Sequence, residues 1–262
     1  MAGRYGAQKQ NGVGSKLGRN LGILATLCAV GFAGYTYNNH MNAKQTDEKT
    51  GCLSNAAPPK SVLYLVDATD RLSPETSERI RRRILDEVNG LPRYSKVLVI
   101  SFGEDEASPL NPVFNRCLPG KASTAGIDEG SGLLERDYKA FETSLNDMIS
   151  GLKNVPDSKK SPISNQVVRA ASDPVFHWDG DKRELVLVTD GLESSIYWQN
   201  DLKLPNPPEG ILRGVEAEYF EIGNMKGGHL QRRQMRLEWK SWLEKAGATV
   251  KITAPGFPVS GT

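Results

Sequence analysis

The sequence predicts an α/β fold, a doubly wound and mostly parallel sheet over residues 60–255. Three observations carry this expectation. Short β-rich apolar runs alternate with segments of helical periodicity along that whole stretch. Two of the runs, SVLYLVD (61–67) and RELVLVTDG (183–191), are apolar almost without a break, as strands buried on both faces are. Both deliver a carboxylate at the end, where open α/β sheets collect their ligands.

The elements follow in order. After the first strand, Ser73 is placed to cap a helix and Pro74 to open it. Ile80, Ile84, Leu85 and Val88 mark its buried face, and Gly90 with Pro92 stops it. KVLVISFG (96–103) is a second strand. Pro109 and Pro112 punctuate the next stretch, so PVFNRCL (112–118) is at best an edge strand. A loop rich in Gly, Ser and Thr covers 119–132. Leu134, Tyr138, Phe141, Leu145, Met148 and Leu152 then recur at helical spacing. The loop NVPDSKKSP leads to a short helix over 162–172 and then to the strand at 183. Residues 199–213 hold three prolines and no period. GVEAEYFEIG (214–223) alternates apolar and polar, as a more exposed strand does. A helix from His229 to Ala246 ends at Gly247, and ATVKIT (248–253) is the last strand. Trp239 and Trp242 on that helix are expected to pack on the sheet, with exposure left open at Trp239. Right-handed crossovers are expected throughout.

The region before the domain is different. Residues 1–20 carry Arg4, Lys9, Lys16 and Arg19 and no acid. Residues 21–37, LGILATLCAVGFAGYTY, carry no charge, and Tyr35 and Tyr37 stand where interfacial aromatics do. The stretch is just long enough for one transmembrane helix. The basic flank puts the N-terminus in the cytoplasm and the domain outside, as in a single-pass protein of a bacterial inner membrane with a periplasmic domain. The alternative is a cleaved signal peptide, but Tyr35-Thr36-Tyr37-Asn38 occupies the place of a small-residue cleavage site. Residues 38–59 are polar and Pro-containing, a linker, and 256–262 form a C-terminal tail. In an exported domain Cys52 and Cys117 are free to pair. The chain entering the first strand and the end of an antiparallel edge strand meet at the bottom of such a sheet. Two free thiols remain the alternative.

Composition excludes one class of partner. The net charge of +2 leaves no basic footprint for a nucleic acid. The run Arg79 to Arg83 falls on an amphipathic helix and reads as a solvated face. His177, Trp178 and His229 read as ordinary loop and helix-start residues.

The chemistry gathers at the strand ends. Asp67 and Asp190 are expected at one edge of the sheet on adjacent strands. Two close carboxylates repel, and a cation between them relieves the cost. Thr69 adds a hydroxyl, and Ser161 adds another from the loop before the short helix. Oxygen donors alone suit a hard ion such as Mg²⁺.

These motifs resemble a von Willebrand factor type A domain, a Rossmann-like α/β module. They are Asp67-Ala68-Thr69-Asp70-Arg71, Ser161-Pro162-Ile163 and Thr189-Asp190-Gly191, in that order, within a resemblance covering residues 58–255. It implies a metal-ion-dependent adhesion site in which Asp67, Thr69, Ser161 and Asp190 surround a divalent ion. One coordination position is then open to an acidic group of a protein partner. The third position of the first motif departs from the pattern, because Arg71 stands where a hydroxyl belongs. Either Arg71 points outward and a water replaces the hydroxyl, or its guanidinium pairs with Asp67 or Asp190 in place of the metal. Asp70 is a substitute oxygen donor.

The expected function is a membrane-anchored, non-enzymatic binding module for a protein partner. Two alternatives stand beside it: a structural part of an envelope assembly with a vestigial metal site, and a Mg²⁺-dependent phosphotransferase or hydrolase. The last lacks a Gly-rich phosphate loop, a Gly-x-Ser-x-Gly elbow and a His-Glu-x-x-His motif.

Overall fold

The computed structural model describes residues 28–32, 34, 46–69, 72–106, 109–124, 130–152, 160–173, 182–193, 203–222 and 229–254. The chain divides into two compact units, Met1–Gln45 and Thr46–Thr262. In the first, residues 28–32 and 34 are helical, and Val30 and Phe32 are exposed. Among the described residues no helix is long and apolar enough to cross a membrane. The predicted span 21–37 lies mostly outside the described residues, and the tails 1–20 and 256–262 lie wholly outside them.

The second unit is built on a six-stranded sheet. Its strands are β1 (Lys60–Asp67), β2 (Lys96–Phe102), β3 (Pro112–Cys117), β4 (Lys182–Thr189), β5 (Val215–Glu221) and β6 (Thr249–Thr253). Their order is β3-β2-β1-β4-β5-β6, and every pairing is parallel except β2 with β3. The chain starts at the centre, winds outward one way through β2, then crosses back beside β1 as β4. That reversal leaves a crevice at the C-terminal ends of β1 and β4, the switch point of a doubly wound sheet.

Helices cover both faces. Side chains alternate along a strand, so β1 sends Val62, Tyr64 and Val66 one way and Leu63 and Leu65 the other. The first face packs against α1 (Pro74–Gly90) and α2 (Ser131–Gly151) through Ile80, Ile84, Phe141 and Leu145. The second packs against α3 (Ile163–Ser172) and α4 (His229–Lys245) through Ile163, Val167, Met235 and Trp239. Each such side chain, fully buried, contributes about 1.5–3 kcal/mol. Ser73 caps α1, its Oγ accepting from the Thr76 N–H at 3.1 Å, with Pro74 in the first turn. Trp239 is fully buried and stacks on Tyr219, ring centroids 6.2 Å apart. β3 is the antiparallel edge strand, with a register shift against β2 at Val99 and Ile100.

Two expectations change. β5 is buried along nearly its whole length, although its alternating sequence predicts a more exposed strand: Glu218 is only 2 % exposed and Glu221 1 %. The cause is pairing. Arg83 and Lys251 meet Glu218, and Arg236 meets Glu221, so both carboxylates enter the interior neutralised. In addition, the segment expected as linker contributes an ordered turn to the second unit. Asp47 Oδ1 accepts from the backbone of Lys49 and Thr50 and from the Thr50 hydroxyl. The Cys117 N–H donates to the Thr50 carbonyl at 2.7 Å, and Cys52 is disulfide-bonded to Cys117. Cys117 lies opposite Lys96, the first residue of β2, so this clamp sits at the bottom of the sheet.

Candidate functional site

Strand register puts the site together. Val66 pairs with Val188, which sets Asp67 beside Thr189 at the end of the two central strands, and Thr189 pairs with Glu221. Parallel neighbours at matched positions face the same side of a sheet, so Asp67, Thr189 and Glu221 form one row on the α3 and α4 face. The sequence shows this in retrospect, because Thr189 keeps the parity of Leu185 and Leu187 as Asp67 keeps that of Leu63 and Leu65.

Asp67 is the hub, 4 % exposed. Its Oδ1 accepts from the Thr69 N–H at 3.0 Å and the Thr69 hydroxyl at 2.6 Å. Its Oδ2 accepts from the Ser161 hydroxyl at 2.9 Å and the Thr189 hydroxyl at 2.8 Å. Three hydroxyls thus donate to one carboxylate, and each keeps lone pairs for another partner. Among the described residues no lysine or arginine forms an ion pair with Asp67. Asp190, 6 % exposed, starts the next loop, and its Oδ1 accepts from the Leu192 N–H at 2.9 Å.

That loop is built on Gly191. Its φ is +84°, the left-handed region that glycine enters without a Cβ penalty. A Cβ there would stand 2.2 Å from the Tyr219 hydroxyl and 2.7 Å from the Met235 sulfur. The Gly191 N–H donates to Thr189 Oγ1 at 3.0 Å, and its carbonyl accepts from Trp239 Nε1 at 3.0 Å. The buried indole therefore holds the loop from below.

Of the residues expected at the site, Asp67, Thr69 and Ser161 are joined directly by hydrogen bonds, and Asp190 follows Thr189 at the same edge. Asp70 and Arg71, the expected modifiers, lie outside the described residues, as do His177 and Trp178. Thr189 belongs to the hydrogen-bonded set although the expected ligands omit it. Glu193 and Glu221 were not expected there. Glu193 Oε2 accepts from the Ser164 N–H at 2.6 Å. Glu221 Oε2 is held by Arg236 Nε at 2.5 Å. No spacing rule points to either glutamate from sequence alone.

The edge carries a negative field. Burial pushes the Tyr219 phenol well above its ordinary value, the charges of Glu221, Asp190 and Asp67 push it further, and Arg236 opposes them. Among the described residues no three His, Cys, Asp or Glu side chains converge as a metal-binding group. An ion held here would rest on two carboxylates and on hydroxyls, a donor set that suits Mg²⁺ and not a soft metal.

No family model matches the chain, and no curated protein matches its sequence. Solved structures with a related backbone include the pilus adhesin SpaC from Lactobacillus rhamnosus GG, 13% identical over 78% of this chain and 29% of the adhesin, TM-score 0.42. They include the conserved hypothetical protein BatB from Bacteroides thetaiotaomicron, 11% identical over 74% of this chain and 89% of BatB, TM-score 0.37. A human COPII-coat protein is 11% identical over 79% of this chain and 31% of its own, TM-score 0.39. The chain thus spans less than a third of the adhesin and of the coat protein. These likenesses carry no weight in assigning a role.

Proposed function

We propose that the chain is a membrane-tethered binding module that captures a protein partner through a divalent-cation site at the C-terminal edge of its sheet. The ion is Mg²⁺, held by the Thr69 and Ser161 hydroxyls with Asp67 and Asp190. When bound, it supplies positive charge and an open position for a carboxylate. The single observation behind this is the orientation of three hydroxyls, all donating to Asp67. Their protons are committed to the carboxylate, so their lone pairs are what the edge offers to a cation. The tether is the apolar stretch 21–37, with the N-terminus cytoplasmic and the domain periplasmic. No bond-making step is assigned to the site.

One observation favours a second role, a structural part of an envelope assembly with a vestigial site. Both oxygens of Asp67 are already saturated by protein donors, two to each. A site that satisfies itself this well does not require an ion.

Titration of the chain with Mg²⁺ and Mn²⁺ by calorimetry separates the two. The adhesive role requires saturable binding that Asp190→Ala removes, and partner capture that a chelator abolishes. Capture unchanged by chelator and by Asp190→Ala returns the protein to the structural role.

A further inference from the structure

Ser161 has to stand at a fixed height over Asp67, and it comes from a loop that precedes a helix. That helix, α3, starts without a cap of its own: Pro162 occupies the N-cap position and supplies no side-chain hydrogen bond. The first N–H groups of a helix have no partner within it. The buried N–H of Ser164 finds one across the crevice in Glu193 Oε2, at 2.6 Å. Glu193 is 1 % exposed and sits three residues after Asp190, inside the same hydrogen-bonded turn. Its N–H donates to the Gly191 carbonyl at 3.0 Å, as Leu192 N–H does to Asp190.

We infer that Glu193 is a positioning residue for the site: it ties the Asp190 turn to the first turn of α3 and so holds Ser161 over Asp67. Three segments make the site, the ends of β1 and β4 and the loop before α3. Ser161 to Asp67 is one tie on that loop and Ser164 to Glu193 is the second. A carboxylate at a helix N-terminus is also favoured by the helix dipole. Asn165 and Gln166 tie the same turn to Glu106 and to the Asp105 carbonyl in the loop after β2, while the Glu193 contact ties it to the Asp190 turn. The role assigned to the ion rests on the binding module proposed above; the tie itself does not. Groups that orient metal ligands from outside typically carry about 10–100-fold of the affinity.

Two conservative variants test reach against charge in the full chain. Glu193→Gln keeps the reach and an acceptor oxygen and loses the charge. Glu193→Asp keeps the charge and loses a methylene of reach. Mn²⁺ is the probe, followed by electron paramagnetic resonance, with amide hydrogen exchange of residues 163–167 read in parallel. Glu193→Asp is expected to weaken Mn²⁺ binding by roughly tenfold and to speed exchange at Ser164, while Glu193→Gln stays within about twofold of the parent. Exchange at Ser164 unchanged in both variants overturns the inference. Loss of Mn²⁺ binding in Glu193→Gln with Ser164 still protected also overturns it, because Glu193 is then a ligand of the ion. Faster exchange in Glu193→Asp, in a parent that binds no Mn²⁺, upholds the tie and removes the metal from the proposed function.

Discussion

Toward the N-terminal ends of the strands, Arg83 meets Glu87, Glu184 and Glu218, Lys60 meets Glu87 and Glu184, and Lys251 meets Glu218. At the C-terminal ends, Asp67 meets a backbone N–H and three hydroxyls. The lower cluster sets three cations against three anions and closes its own charge. Among the described residues the upper end meets the Asp67 carboxylate with neutral donors alone, while Glu221 in the same row is paired with Arg236. Buried charge that a fold neutralises internally serves the fold, while charge solvated only by dipoles leaves room for a cation from outside. The two ends of one sheet therefore should answer differently to the same perturbations.

Arg83→Met is expected to have the largest effect, a loss of about 3–5 kcal/mol in chemical denaturation, because it leaves Glu87, Glu184 and Glu218 to two lysines, with the interior Glu218 holding only the more distant Lys251. A loss under about 1 kcal/mol, the range of exposed pairs, would erase the distinction drawn for the lower end. Reduction of Cys52–Cys117 should cost about 2–4 kcal/mol and leave any Mg²⁺ response intact, since the bridge lies at the opposite end from Asp67. A changed Mg²⁺ affinity after reduction would couple the two ends.

Asp67→Asn is expected to lower stability by only about 1–2 kcal/mol, through mismatched hydroxyl donors, and, on the proposed ion site, to remove any rise in thermal midpoint on adding Mg²⁺. A fold that collapses in this variant, with no ion response in the parent, assigns the upper end to structure as well.

Acid gives the smallest and most graded test. Burial pushes the Glu218 carboxyl up, but the hydrogen bond and charge of Arg83, with Thr253 and Lys251, hold it below its ordinary value of 4.5. Glu87 is likewise lowered by Lys60 and Arg83 against its burial. A depressed folded value stabilises the native state above the unfolded value and is lost as pH falls through the folded one. The contribution of these two is thus complete above about pH 4.5 and fades below it. Glu184 runs the other way: burial raises it, and its contribution is lost as pH rises through its folded value. Denaturation midpoints between pH 3 and 7 should show an acid loss that shrinks in Glu218→Gln; an undiminished loss would place the acid-sensitive group elsewhere.

Much of this contrast was legible in the sequence at the top and little of it at the bottom. Asp67, Thr69 and Ser161 were readable because a strand-end carboxylate and nearby hydroxyls are local signals. Thr189 was half legible, present in its motif and identifiable by strand parity only once the register is known. Glu218 and Glu221 misled, since an alternating strand reads as solvent-facing unless the partners Arg83, Lys251 and Arg236 are known, and these come from distant elements. Glu193 was invisible for the same reason: its partner is a backbone N–H across the crevice, and no side-chain pattern marks it.

The sulfur bridge has a mechanical consequence. Tension arriving at Thr46 meets Cys52 before it meets β1, and Cys52 hands it to Cys117 at the rim of the sheet. A pull on that side would therefore load the edge strand β3 through the bridge as well as the central strand that ends in Asp67.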